Sequence, residues 1–359
     1  MTGNKLQYLD LLSGELLAEG IMFSGGGLVP VYSDGMIFTP VTNGLQAFNA
    51  SPRPQTADDV GYSNSKVMVL DSLWTYNDPI GGAGLSPFYV ENVYIYGGWQ
   101  QTRNEGAFVC LSITDEDPTQ SHEEKEATWR WIRNRGFHWA GAHVGEKFVV
   151  VGGEQSGDDD LTCLDVTTGK VLDTIPNLFT LENRGSVSYD IETDLYCLAT
   201  KDTFYSVRVD GNGKFYDLAQ GSIGGASTST PAIFNGRAYM GVSGNGQFQS
   251  FTGAGVVVID IATAQPVYAM NTRGYPQSSG LISAAYLDVP HHNPQTGEEE
   301  TGFAYVYFTE NINPGNISYI IDKPGITEPV IFDTLGGIKT APLLFQPKGH
   351  HAQYNLSSL

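Results

Sequence analysis

One short pattern occurs seven times in this chain of 359 residues, and that recurrence limits the fold more than any single residue does. The pattern is an apolar residue, a variable one, a small or aromatic one, an apolar one, a polar one and usually another apolar one. It runs Leu6-Gln7-Tyr8-Leu9-Asp10-Leu11, Leu45-Gln46-Ala47-Phe48-Asn49-Ala50 and Phe108-Val109-Cys110-Leu111-Ser112-Ile113. It returns as Leu161-Thr162-Cys163-Leu164-Asp165-Val166, Phe204-Tyr205-Ser206-Val207-Arg208-Val209, Val256-Val257-Val258-Ile259-Asp260-Ile261 and Ile317-Ser318-Tyr319-Ile320-Ile321-Asp322.

An opening pair of short strands precedes six of these copies. The clearest is Leu28-Val29-Pro30-Val31-Tyr32, the turn Ser33-Asp34-Gly35, then Met36-Ile37-Phe38; parallel cases begin at Leu85, Trp139, Val187, Pro231 and Ile282. Asp34-Gly35 and Asn235-Gly236 suit the positive φ angles of a type I′ hairpin turn. The copy at Leu6 has no opening pair, whereas Thr340-Ala341-Pro342-Leu343-Leu344-Phe345 is an opening pair with no third strand after it. A fourth, outer strand completes each unit, with Val67-Met68-Val69-Leu70 and Val267-Tyr268-Ala269 as examples. Near-continuous apolar strands cannot be covered within one four-stranded sheet, and radial stacking buries both faces. The expectation is an all-β, seven-bladed β-propeller forming a single domain, closed by pairing of the two chain ends in one blade. Its blades are 21–75, 76–131, 132–175, 176–218, 219–270, 271–333, and 334–359 with 1–20. The spacing is too long for a β-helix coil, and a sandwich requires no sevenfold register.

The run Cys163-Leu164-Asp165-Val166-Thr167-Thr168-Gly169-Lys170 resembles the quinoprotein-type (PQQ-like) propeller repeat, in which Ala-x-Asp leads into a Thr-Gly-Lys turn and then a docking Trp. Looser copies are Tyr8-Leu9-Asp10 through Gly14-Glu15 and Val258-Ile259-Asp260 through Ala264-Gln265; Asp173, Ala18 and Tyr268 stand where the docking Trp would be. The enzymes of that family have eight blades, a vicinal cysteine pair and a calcium site. This chain has no adjacent cysteines, so the resemblance implies the fold without the redox chemistry. The family also includes non-enzymatic interaction scaffolds.

Glycine and proline make up 61 positions, 17% of the chain, against roughly 12% in an average protein, which fits a turn-rich fold. The formal net charge of −20 argues against general nucleic-acid binding and against an anionic membrane surface. No apolar run is long enough to span a bilayer, so no membrane insertion is expected. Cys110, Cys163 and Cys197 form no CxxC pair and are read as small apolar fillers, with one disulfide left open. A strand pattern follows Met1-Thr2-Gly3-Asn4-Lys5 directly. The expected source is a mature fragment of an extracellular or cell-surface protein, with a cytoplasmic chain as the alternative, and a monomer is expected.

Arg103, Arg133, Arg135, Arg184 and Arg273, with Lys201 and Lys339, fall in connections between outer and inner strands or between second and third strands. Asp34, Glu91, Glu146, Glu192, Asp194 and the runs 115–117 and 298–300 fall at the other strand ends. The arginine-bearing loops also hold Trp99, Gln100, Gln101, His138, Trp139, Phe248, Phe251, Tyr275, Gln277, Glu310 and Asn311. Aromatic area with planar donors suits a small-molecule, saccharide or protein ligand. The candidate ligand-binding set is Trp99, Gln101, Arg103, Arg133, Arg135, His138, Arg184, Arg273 and Tyr275, weighed against ordinary loop packing. No cofactor is expected. Asp158-Asp159-Asp160 offers oxygen ligands for calcium but reads better as a solvated loop tip, Asp210-Gly211-Asn212-Gly213 as a tight strand connection, and His291-His292 and His350-His351 as loop histidines. Hydrolase elbow, Walker and Rossmann motifs are absent. The function expected is a non-catalytic binding scaffold; the alternative is an enzyme acting on an acidic saccharide, or a diverged quinone-dependent dehydrogenase.

Overall fold

The computed structural model describes residues 4–24, 30–82, 88–102, 105–120, 122–137, 139–153, 160–178, 183–200, 202–244, 253–312 and 315–338, the last five without side chains. The chain divides into two compact units, Met1–His138 and Trp139–Leu359. All regular elements among the described residues are strands, and all seven copies of the repeated pattern lie on them.

In the first unit, the N-terminal sheet joins Lys5–Leu9 to Leu16–Ile21. Sheet one contains Val31–Ser33, Met36–Val41, Gly44–Asn49 and Ser72–Asn77, and Glu123–Glu124 adds to its outer edge in parallel. Sheet two contains Tyr89–Glu91, Tyr94–Thr102, Glu105–Ser112 and Trp129–Arg133. The outer strand of sheet one is Ser72–Asn77, not the expected run Val67–Leu70. Met68–Val69 instead pairs in parallel with Leu16–Ile21. The reason lies in Trp74, which is fully buried and pairs across from Ala47, a fit that Val67–Leu70 has no side chain to match.

The second unit holds four antiparallel sheets of consecutive strands. Sheet three is Ala142–Val144, Phe148–Gly152, Leu161–Asp165 and Val171–Ile175; sheet four is Ser188–Asp190, Leu195–Ala199, Thr203–Val209 and Phe215–Ser222. Sheet five is Ala232–Phe234, Arg237–Val242, Gly255–Asp260 and Gln265–Asn271; sheet six is Leu281–Ser283, Ala304–Glu310, Gly315–Asp322 and Ile331–Ile338. A hairpin of His291–His292 and Glu299–Glu300 is inserted in sheet six, so that histidine pair sits on a short strand. Leu195, Cys197, Ala199 and Phe204 of sheet four pack on Ala238, Met240, Val257 and Ile259 of sheet five. Phe234, Tyr239, Val256 and Val258 of sheet five pack on Val306, Phe308 and Ile320 of sheet six. The residues 340–345, expected to open the last blade, lie outside the described residues.

Local chemistry explains the repeat. Asp165 Oδ1 accepts from the Thr168 amide at 2.8 Å and the Thr168 hydroxyl at 2.7 Å, and Gly169 then takes φ +67°. Asp10 and Asp260 do the same with Ser13 and Thr263, followed by positive φ at Gly14 and Ala264. Each aspartate thereby closes the turn between the third and fourth strands. A β-bulge falls between the third and fourth pattern residues at Tyr8/Leu9, Ala47/Phe48, Cys163/Leu164 and Val258/Ile259, re-aiming the outer strand at the same point in each. The hairpin dipeptides Asp34-Gly35 and Asn235-Gly236 both have positive φ.

In sheets one, three and five the position opposite the third pattern residue reaches the next sheet. Two copies carry the Trp that the motif-matched copies lack: Trp74 opposite Ala47 and Trp129 opposite Cys110. Trp74 Nε1 donates to Ile113 O of sheet two at 3.1 Å. Asp173, opposite Cys163, accepts the Phe215 amide of sheet four at 2.9 Å. Tyr268, opposite Val258, donates to Asp322 of sheet six at 2.5 Å. Asp322 is fully buried and also accepts from Tyr239 at 2.7 Å and from Arg237 Nη1 at 2.7 and 2.9 Å. The three cysteines are buried and free, and burial pushes the thiols of Cys110 and Cys163 up to about 12.

The N-terminal sheet is pinned by Glu19, whose side chain is fully buried. Burial alone would raise its pKa. The Ser63 hydroxyl at 2.6 Å, the Lys5 ammonium at 2.9 Å, the Ser63 amide at 2.9 Å and the Gln7 amide outweigh that and hold it at about 2, below its ordinary 4.5. Because the folded value is the lower one, this contribution is complete above about pH 4.5 and is lost as the pH falls toward 2. Glu19→Gln should cost about 2–3 kcal/mol at pH 7 and flatten the acid limb of the stability curve, measured by urea denaturation from pH 7 to 2.

Candidate functional site

In every four-stranded sheet, the turns joining first to second and third to fourth strands lie at one end, and the connections leading into the inner strand lie at the other. Asp34, Glu146, Glu192 and Asp194 occupy turns at the first end. Arg135, Arg184 and Arg273 occupy connections at the second. Basic groups at the acidic end are engaged: Arg237 with Asp322, Lys214 with Asp173, and Lys323 with Glu300.

Sheets four to six of the second unit approach their inner strands through polar runs: Asn183-Arg184-Gly185-Ser186, Ser227-Thr228-Ser229-Thr230 and Gln277-Ser278-Ser279. Neighbouring inner strands are not ladder-paired here, and hydroxyls link them. The Ser186 amide donates to Thr230 Oγ1 at 2.8 Å, and the Thr230 amide donates to Ser279 Oγ at 2.9 Å. Ser188 Oγ donates to Pro231 O at 2.6 Å. Ser229 Oγ donates to Ser278 O at 3.0 Å, and Thr228 Oγ1 to Gln277 O at 2.9 Å. Each hydroxyl satisfies a buried backbone group of the adjacent sheet. The glycine pair Gly224-Gly225 makes the crossing tight, since a Cβ on Gly225 would meet Ser243 O at 1.9 Å.

The nominated residues divide on this frame. In the first unit, Trp99 is fully buried, its ring edge-on to Tyr76 at 5.6 Å and to Phe88 at 5.1 Å, so it offers no face to a ligand. Arg133 is buried, with its guanidinium over Trp131 and Phe137, each at 5.5 Å. Arg135 is half-buried and donates to Asn134 O at 2.6 Å; Gln101 is exposed near the end of Tyr94–Thr102. Arg103 and His138 lie outside the described residues, as do Lys201, Lys339, Phe248, Phe251, Asp158, Asp159 and His350-His351.

In the second unit, the Tyr275 ring is fully buried, and its hydroxyl accepts the Thr228 amide at 2.9 Å. Burial raises its pKa, while Thr228 and the nearby Arg184 charge act in the opposite direction. Tyr275 therefore closes the crossing into sheet six and brings Arg184 into its neighbourhood. Arg273 is exposed, and its amide and that of Gly274 donate to the buried carboxylate of Glu310 at 3.0 and 2.9 Å. Arg184 is half-buried, with its guanidinium 5.4 Å from the Trp139 ring centre. Trp139 itself has φ +63°, a left-handed conformation costly for a bulky aromatic.

Arg184 is flanked by two polar side chains absent from the sequence-derived set. Asn183 is fully buried; its Oδ1 accepts the Gly185 amide at 3.1 Å, while Nδ2 has no hydrogen-bond partner among the described residues. Ser186 is buried and its Oγ likewise has none among the described residues. The signal that could have found them is alignment of the inner-strand approaches, where Asn183-Arg184-Gly185-Ser186 stands beside the hydroxyl-only run 227–230. The run 183–186 thus carries an amide, a guanidinium and a hydroxyl, donor types suited to a planar oxyanion, with the guanidinium beside an aromatic ring.

The expected Asp210 turn is present: Oδ1 accepts the Asn212 and Lys214 amides at 2.8 and 2.9 Å. Among the described residues no helix is long and apolar enough to cross a membrane. Thr230→Val should leave the Ser186 amide buried without its acceptor and cost about 1–3 kcal/mol, read as a shift in the urea midpoint, whereas Thr230→Ser should be close to neutral.

No family model matches this chain, and no curated protein matches it in sequence. The crystal structure of BamB from Moraxella catarrhalis is similar to it, with a TM-score of 0.53 at 12% sequence identity, covering 91% of this chain and 78% of that one. Together with the succession of four-stranded antiparallel sheets, this likeness shows that the chain has a β-propeller fold.

Proposed function

We propose that this chain is a non-catalytic binding scaffold that takes a carboxylate-bearing small molecule, saccharide or protein ligand at the inner-strand approaches of its second unit. The observation carrying the proposal is the Arg184 guanidinium against the Trp139 ring, in a run that also holds Asn183 Nδ2 and Ser186 Oγ, buried groups with no hydrogen-bond partner among the described residues. Most other polar groups at that strand end serve neighbouring sheets: Tyr275, Thr228, Thr230, Ser279 and Glu310 all spend hydrogen bonds on backbone. Arg184 brings a planar cation beside an aromatic ring, a pairing that orients a carboxylate while supplying contact area. Ligand-observed NMR against uronic-acid oligosaccharides, their neutral counterparts and carboxylate-rich peptides tests this. Carboxylate-bearing members should give saturation transfer, and Arg184→Ala should weaken it by about tenfold or more with the melting temperature held. Binding that survives Arg184→Ala, or a response from the neutral members alone, sinks the assignment.

The same reading includes seven blades, with the segment after Ile338 and residues 1–20 sharing the last; the expected boundary at 334 falls inside the fourth strand of sheet six, Ile331–Ile338. The support is sequence order: the described N-terminal sheet supplies strands of the third and fourth kind, and 340–345 reads as an opening pair. Deleting 340–359 should abolish amide-exchange protection along Lys5–Leu9, measured by hydrogen–deuterium exchange. Unchanged protection there would reject the closure.

A further inference from the structure

The connection into sheet six carries two side-chain amides that are joined to each other. Asn311 Nδ2 donates to Gln277 Oε1 at 3.1 Å. The other half of each amide, Gln277 Nε2 and Asn311 Oδ1, has no hydrogen-bond partner among the described residues, and both residues are half-buried. Their backbone is fixed on two sides. Tyr275 and Asn311 form a bridge in which the Asn311 amide donates to Tyr275 O at 2.8 Å. Gln277 O accepts from Thr228 Oγ1 at 2.9 Å. The pair therefore presents one donor and one acceptor from a held frame.

Gln277 stands in register with Arg184. Counted back from the inner strands Ser188–Asp190, Ala232–Phe234 and Leu281–Ser283, the residues Arg184, Thr228 and Gln277 each lie four positions before the strand. The bonds from Ser186 to Thr230 and from Thr230 to Ser279 join the positions two before, which fixes this alignment in space. Thr228, in the middle of the row, is closed: its Oγ1 serves Gln277 O and lies 3.1 Å from the Tyr275 hydroxyl. The Arg184 charge acts on that same hydroxyl. A cation and an amide pair thus stand at either end of a short row. A carboxylate only accepts hydrogen bonds, so it can use Gln277 Nε2 but leaves Asn311 Oδ1 without a donor. Sugar hydroxyls both donate and accept, and two neighbouring ones satisfy both groups. We infer that the ligand at Arg184 is a uronic-acid saccharide, its carboxylate on the guanidinium and a pair of neighbouring hydroxyls on Gln277 Nε2 and Asn311 Oδ1. This rests on the carboxylate reading of Arg184 and narrows it to one ligand class.

Isothermal titration calorimetry of the full chain with digalacturonic acid and with the dipeptide glutamyl-glutamate tests the class. The disaccharide should bind at least about tenfold more tightly, because only the sugar satisfies both amides. Gln277→Met and Asn311→Ala, each with the melting temperature held, should remove most of that preference and leave the dipeptide affinity unchanged. Arg184→Ala should weaken both ligands. Equal affinity for the two ligands in the wild-type chain overturns the inference while the carboxylate reading stands, and that comparison requires no variant to fold. A preference that survives both amide variants overturns it as well. Binding of neither ligand sinks both readings together.

Discussion

Sheets that are apolar on both sides are stable only against one another, and here a single strand position governs how they meet. In sheets one, three and five the residue opposite the third pattern position reaches the following sheet near the outer end of its third strand or the start of its fourth. Trp74 reaches Ile113 O, Asp173 reaches the Phe215 amide, and Tyr268 reaches Asp322. An indole donor, a carboxylate acceptor and a phenol donor perform one task with three chemistries. What the repeat preserves is the location of the contact. The bulge beside it turns the outer strand so that this side chain faces the neighbour.

That contact fixes the outer side of the stack, and hydroxyls fix the inner side. Strands that splay toward one edge lose ladder pairing, and a buried amide there must find another acceptor. Thr230 and Ser279 each provide one to the sheet before. Between these two edges the Asp322 cluster concentrates charge. A carboxylate without exposure is tolerable because one guanidinium and two phenols donate to it. Removing any donor would leave part of that charge uncompensated, so the cluster resists sliding of sheet five over sheet six.

Strand identity and sheet order were legible because they depend on period and on turn chemistry, which are local. The seven pattern copies, the Asp-Gly and Asn-Gly turns and the aspartate-closed turns at Asp10, Asp165 and Asp260 all follow from residues close in sequence. Partner choice was less legible. Val67–Leu70 is a sound strand by composition, yet it joins the N-terminal sheet because Ser72–Asn77 brings Trp74 into register with Ala47. Site residues were the least legible. Trp99 and Tyr275 sit in loops or strand ends by sequence and in full burial by structure, and no local pattern separates an aromatic that floors a site from one that fills a junction. Asn183 and Ser186 went unseen since what marks them, a buried polar atom without a hydrogen-bond partner among the described residues, is written in no local sequence pattern.

The same contrast bears on what the molecule does. A junction residue is recognised by a closed set of partners, as with Tyr275 on Thr228 or Glu310 on two amides. Trp139 is held in a left-handed conformation beside Arg184, and buried donors flank that arginine on both sides in sequence. Backbone strain at Trp139 and buried polar atoms without hydrogen-bond partners among the described residues therefore occur at one inner-strand approach, while the approaches at 227–230 and 277–279 are occupied by hydroxyls serving backbone.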